Sequence, residues 1–113
     1  MSHRSRGGPL AIAEDEELAR GREAAGRLAW EEAWTALSLA DRSSPLAADD
    51  LELLATAAYL TGRVADSLRA LQRAHQLHAR DGDRRRAARC AGWLAFHLID
   101  RGEHAQAGGW RGR

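Results

Sequence analysis

Two stretches of this chain repeat each other. Residues 30–40 read WEEAWTALSLA and residues 64–74 read VADSLRALQRA, so Ala36, Leu37 and Ala40 return as Ala70, Leu71 and Ala74 at a constant separation of 34 residues. A repeat of this length is one supersecondary unit, too small to bury a core by itself and stable only when its neighbours stack on it. The unit can be read from the spacing of its apolar residues.

Trp30, Ala33, Trp34, Leu37 and Ala40 recur every three or four positions, as do Val64, Leu68, Leu71 and Ala74. Each set is one face of an α-helix. A further helical stretch precedes each: Glu14 to Leu28, with Leu18, Gly21, Ala24, Ala25 and Leu28, and Leu51 to Thr61, with Leu51, Leu54, Ala55 and Ala58. The repeat is therefore a helix pair. Alanine and glycine at the crossing points let two backbones approach to the roughly 8–10 Å of packed helices.

Punctuation follows the same plan. Pro45 closes the second helix, Asp49 or Asp50 is placed to cap the third, and Gly62 and Gly82 mark turns. A third pair is expected to begin with a helix from about Arg84 to Arg101, carrying Ala91, Leu94, Ala95 and Leu98. Gly102 would then repeat the turn of Gly62, and a short sixth helix would run from Glu103 to about Trp110. The two turn glycines are 40 residues apart, and the extra length falls in HARDGDRRR. No segment alternates as a strand does.

These residues resemble a tetratricopeptide repeat. Gly21, Trp30, Ala33, Leu37, Ala40 and Pro45 match its pattern in the first repeat; Leu54, Ala55, Ala58, Gly62, Val64, Leu71 and Ala74 match in the second; Leu94, Ala95, Gly102, Ala105 and Ala107 match in a third that stops short. Departures are the displaced glycine in Gly26-Arg27-Leu28-Ala29, Ser67 in place of an alanine, and the lack of a proline after the second repeat. The run GDRRRAARCAGWLAFHLIDRGEHAQAGGW, residues 82–110, is also similar to the helical-repeat region of actinobacterial LuxR-type transcriptional regulators. That resemblance implies an all-α tetratricopeptide-like solenoid of two full pairs and an incomplete third. It also implies a role in receiving a signal through a protein partner. The helix-turn-helix domain of that family has no counterpart here, so DNA binding is assigned to no residue of this chain.

Composition narrows the alternatives. With 17 basic and 16 acidic residues the formal net charge is +1, giving no general attraction to nucleic acid or to a membrane surface. A single cysteine, Cys90, cannot form an internal disulfide. No run approaches the roughly 18 apolar residues of a spanning helix, and the apolar run Leu10 to Ala13 is too short for a signal peptide. A cytoplasmic protein is the expectation. The absence of lysine removes the Walker-type phosphate loop and Schiff-base catalysis.

The remaining candidates for chemistry are weak in sequence. His75 and His78 lie one helical turn apart but lack a third ligand nearby, so they read as polar residues on a helix surface. Cys90 reads as a small buried hydrophobe without a positioned base. The carboxylates Glu14 to Glu17 and Asp49-Asp50 read as helix-start charges. Arg84-Arg85-Arg86, with Arg80 and Arg89, reads as a solvated loop diluted by Asp81 and Asp83. No catalytic, cofactor-binding or metal-binding residue is assigned.

The concave groove of stacked helix pairs is the better candidate. Off the packing stripe on its first helices lie Arg22, Glu52, Thr56, Tyr59, Arg89, Trp93 and Phe96, a mixture of aromatic and arginine residues suited to a protein or peptide partner. Trp93 and Phe96 could equally belong to the core. The expected organisation is a flexible segment at 1–13, a repeat domain at 14–110 and a tail at 111–113. The expected function is a non-catalytic protein-interaction module, the repeat portion of a LuxR-type regulator, with a free-standing adaptor or scaffold as the alternative. Self-association through the fifth and sixth helices is also expected, because a short sixth helix would leave Trp93, Leu94 and Leu98 incompletely covered.

Overall fold

The computed structural model describes residues 9–111, with side chains described at residues 16–97 and 99. Five helices follow one another: α1 (Pro9–Gly26), α2 (Trp30–Ser43), α3 (Ala48–Leu60), α4 (Val64–Arg80) and α5 (Arg84–Arg111). The fold is all-α, and no strand occurs among the described residues. Connections of three or four residues leave each helix no course but to reverse against its predecessor.

Three of the four turns are built the same way. At the end of α1, Ala29 N–H donates to the Ala24 carbonyl at 2.9 Å and Leu28 N–H to the Ala25 carbonyl at 3.0 Å. The end of α3 repeats this with Arg63 to Ala58 at 2.7 Å and Gly62 to Tyr59 at 3.1 Å. The end of α4 repeats it with Asp83 to His78 at 2.9 Å and Gly82 to Ala79 at 3.1 Å. Each is a Schellman closure, which satisfies the last carbonyls of a helix and needs a left-handed residue at its centre. Gly62 and Gly82 take that conformation with φ of 84° and 78°, and Leu28 takes it with φ of 64°. The turn of the first pair thus has the geometry of the second without its glycine. α1 ends two residues earlier than expected, at Gly26.

The core crosses from one hairpin to the next. Leu37, Ala40, Leu46, Leu51, Leu54, Ala55, Ala70, Leu71, Ala74 and Cys90 form one buried cluster drawn from α2 through α5. A smaller cluster of Ala24, Ala25, Ala33 and Ala57 joins α1, α2 and α3, with Trp30 and Trp34 packed against it. Trp34 is held further by the Arg63 guanidinium, 3.7 Å from its ring centroid, while Arg63 also pairs with Glu31 at 2.9 Å. Ser67, the departure from the repeat pattern, is buried and donates its hydroxyl to the Ala55 carbonyl at 2.8 Å, so it bonds α4 to α3 at their crossing.

Several expectations change. α1 begins at Pro9 rather than Glu14, with proline at the first helical position, where its missing N–H costs nothing. The acidic run at residues 14–17 consequently lies inside the helix rather than at its start, and Glu17 pairs with Arg20 at 3.2 Å. Residues 1–8 and 112–113 lie outside the described residues. At α3 the N-cap is Ala47 without a side-chain cap, and Asp49 and Asp50 occupy the first turn. Gly102 makes no turn, because α5 runs without interruption to Arg111, and there is no sixth helix among the described residues. A lone glycine costs a helix interior only about 1 kcal/mol relative to alanine, too little to stop one flanked by good helix formers. Arg84-Arg85-Arg86 belongs to the first turn of α5 rather than to a loop.

Candidate functional site

Charged side chains tie α1, α3 and α5 along one face. Arg22 on α1 makes two hydrogen bonds to the buried Asp50 of α3, at 2.9 and 2.7 Å. From the same helix, Asp49 accepts from Arg86 at 2.8 Å and Glu52 from Arg89 at 2.7 Å, both on α5. The hydrogen-bonded carboxylates raise the Arg22 and Arg89 guanidinium groups further above their ordinary range. These pairs fix the spacing of α3 and α5, and between the two helices lies a groove of about 230 Å³.

Glu52, Thr56, Tyr59 and Leu60 form one wall of the groove and Trp93 and His97 the other, over a floor of Ala55, Ser67 and Leu71. The rings touch one another: Tyr59 and His97 have centroids 4.7 Å apart, and Trp93 meets Phe96 edge-on at 5.9 Å. Trp93 and Phe96 are each 51% exposed, so neither belongs to the core. Turn spacing on α5 explains the grouping, since residues 93, 96 and 97 share one helix face. The groove's volume lies below the roughly 300–1,000 Å³ of ordinary small-molecule sites.

At one end of the groove Glu52 is the acceptor for two groups. His78 Nε2 lies 2.6 Å from Oε2 and Arg89 reaches Oε1, while the Cys90 sulfur lies within 4.8 Å of the same carboxylate. His78 is 4% exposed, which corrects its expected place on the helix surface. The helix phase turns it inward on α4, where the hydrogen bond with Glu52 satisfies its buried Nε2. Cys90 is fully buried, as expected, and burial together with the charge of Glu52 pushes its thiol up to about 11. At neutral pH the sulfur is therefore a thiol rather than a nucleophile.

Of the residues singled out in sequence, Glu52, Thr56, Tyr59 and Trp93 line the groove, with Arg89 bonded to Glu52 and Phe96 packed on Trp93. Arg22 does not line it; the side chain is taken up by Asp50. His97 lines it unforeseen, although its place one turn after Trp93 carried the signal. The expectation that Arg86 and Arg89 are merely solvated is also corrected by their pairing with α3. A second hollow, between α2 and α4, is lined by Asp41, Arg42, Asp66, Arg69 and Arg73 and is crossed by the Arg73–Asp41 pair at 2.7 Å. Four of those five charges are matched, Arg73 with Asp41 and Arg69 with Asp66. No helix among the described residues is long and apolar enough to cross a membrane. No family model, curated protein or solved structure matches this chain.

Proposed function

We propose that this chain is a non-catalytic protein-interaction module of the cytoplasm, a tetratricopeptide-like solenoid that receives a partner peptide in the groove between α3 and α5. The exposed aromatic cluster of Tyr59, Trp93 and Phe96 carries the reading. Rings held half out of water beside arginine are the residue types that dominate binding energy at protein interfaces. The groove's volume suits the insertion of one apolar anchor side chain from a peptide lying along the face, beside Thr56 and the Glu52 that Arg89 holds.

The similarity of residues 82–110 to LuxR-type regulators supports placing the module in a transcriptional regulator. DNA contact would then belong to a different part of that protein. A free-standing adaptor would use the same groove. A gene arrangement with a DNA-binding domain directly downstream favours the first reading, and its absence favours the second.

A random peptide display selection against the folded chain tests the groove itself. Selected peptides are expected to share one apolar or aromatic anchor, and Trp93→Ala is expected to weaken them roughly 30-fold, the effect of losing a ~2 kcal/mol hot spot. Selection without a shared anchor, or binding indifferent to Trp93→Ala, overturns the reading.

A further inference from the structure

We propose that Glu52, His78 and Cys90 form a zinc-binding site that clamps α3, α4 and α5 together. Each of three successive helices contributes one residue, and an oxygen of Glu52, a ring nitrogen of His78 and the sulfur of Cys90 all lie within 4.8 Å of one another. Zinc binds sulfur at about 2.3 Å and nitrogen or oxygen at about 2.0–2.2 Å, so tetrahedral ligand atoms stand roughly 3.3–3.6 Å apart. The three atoms reach that arrangement by side-chain shifts of about an ångström. His78 and Oε2, now 2.6 Å apart, open slightly as the ion takes the place of the hydrogen between them.

The surroundings supply the remaining needs of such a site. Arg89 NH2 is 2.7 Å from Oε1 and 3.0 Å from Oε2; keeping the bond to Oε1 while the ion takes Oε2, it orients the carboxylate as outer hydrogen bonds do in metal centres. Asp49 Oδ1 lies 4.0 Å from His78 Nε2 and is placed to become the fourth ligand if it leaves Arg86; otherwise water fills that position. The Asp49 side chain is 65% exposed and that of Glu52 is 20% exposed, which gives the ion a route inward. A mixed sulfur, nitrogen and oxygen set matches the borderline character of zinc, whereas magnesium and calcium take oxygen alone.

Binding is balanced in protons. Cys90 releases its thiol proton to solvent and bonds as thiolate, and the proton that His78 Nε2 shares with Glu52 leaves that nitrogen through solvent, the neutral ring keeping one proton on Nδ1 and presenting the Nε2 lone pair to the ion. Because Glu52 and Cys90 belong to the helices that wall the groove, the ion would fix the groove's width. That consequence goes beyond the docking function and does not depend on it.

Cobalt(II) is the probe, added to the full metal-free chain. The expected result is one equivalent bound with a thiolate-to-cobalt charge-transfer band, which zinc abolishes by displacement. Cys90→Ser is expected to remove the band, and Cys90→Ser and His78→Gln each to weaken metal binding roughly tenfold or more, with His75→Gln unchanged. Since substitutions at buried positions can unfold the chain, the wild type gives a second reading: zinc raises its Tm and a chelator reverses the rise. Absence of the charge-transfer band, affinity unaltered in folded Cys90→Ser and His78→Gln, or a wild-type Tm indifferent to zinc overturns the proposal.

Discussion

Gly21 of α1 lies so close to Leu37 of α2 that a Cβ built on it would stand 2.6 Å from Leu37 Cγ and 3.2 Å from the Leu37 backbone nitrogen. Thirty-four residues on, Ala55 and Leu71 occupy the equivalent positions, both buried in the main core cluster. The first pair therefore crosses more tightly than the second. Gly21→Ala gains helix propensity of about 1 kcal/mol, but the crossing must open to admit the methyl, at a typical cost of 1–3 kcal/mol. A net loss of about 1 kcal/mol is expected by urea denaturation. A more stable variant would show that Leu37 yields freely.

Leu28 supports the opposite expectation. Its φ of 64° is one that leucine adopts at a cost of roughly 1–2 kcal/mol, and its side chain, 69% exposed, returns little packing. Leu28→Gly is expected to stabilise the chain by about 0.5–1 kcal/mol after the greater entropy of glycine in the unfolded chain is deducted. Thermal unfolding checks it. The same substitution at a right-handed helical position such as Leu39 should destabilise.

Ala55 is 2% exposed where α3 crosses α4, directly above the Ser67 hydroxyl. Ala55→Arg puts a long charged side chain into that packed crossing, and a loss well above the ~1 kcal/mol of an average substitution is expected. An unchanged Tm would contradict the helix phase.

Arg73 holds Asp41 by two hydrogen bonds, at 2.7 and 2.8 Å, and depresses its carboxyl below the ordinary range. A depressed acid stabilises the fold above its unfolded pKa, here about 4, and that contribution is lost as pH falls toward and through the folded value. Asp41→Asn is expected to cost about 1 kcal/mol at neutral pH, a modest figure because Arg73 is partly solvated. The gap between variant and wild type should close as the pH is lowered from 4. A gap that persists undiminished at pH 2 would assign the effect to shape rather than charge.

Trp93, Phe96 and Ile99 together expose an apolar strip along α5. Self-association is expected at ~100 μM, within the range where exposed apolar surface drives it, and Trp93→Ser should weaken it. Sedimentation of a wild-type monomer at that concentration would contradict this.

The helices were legible in the sequence because their apolar residues recur at helical intervals, and the 34-residue echo marked the unit they form. What escaped depends on contacts between distant segments. Nothing local announced that Leu28 would adopt a glycine's conformation: the Schellman bonds around it are short-range, but leucine bears the left-handed strain only because α2 packs back on α1. Gly102 looked like Gly62, yet a turn needs a second helix to hold it, and α5 continues instead. The groove was partly legible because Tyr59, Trp93 and Phe96 sit off the packing stripe. The meeting of Glu52, His78 and Cys90 was not, because Cys90 comes from the helix after the repeat that holds the other two, and the 26-residue separation of Glu52 and His78 follows no local pattern.

The most direct test of the groove is amide and side-chain chemical-shift mapping with a peptide taken from the display selection. The account expects perturbations at Thr56, Tyr59, Trp93, Phe96 and His97, with Asp41, Arg69 and Arg73 on the opposite hollow unmoved. Perturbations centred on that opposite hollow, with the aromatic cluster silent, would contradict it.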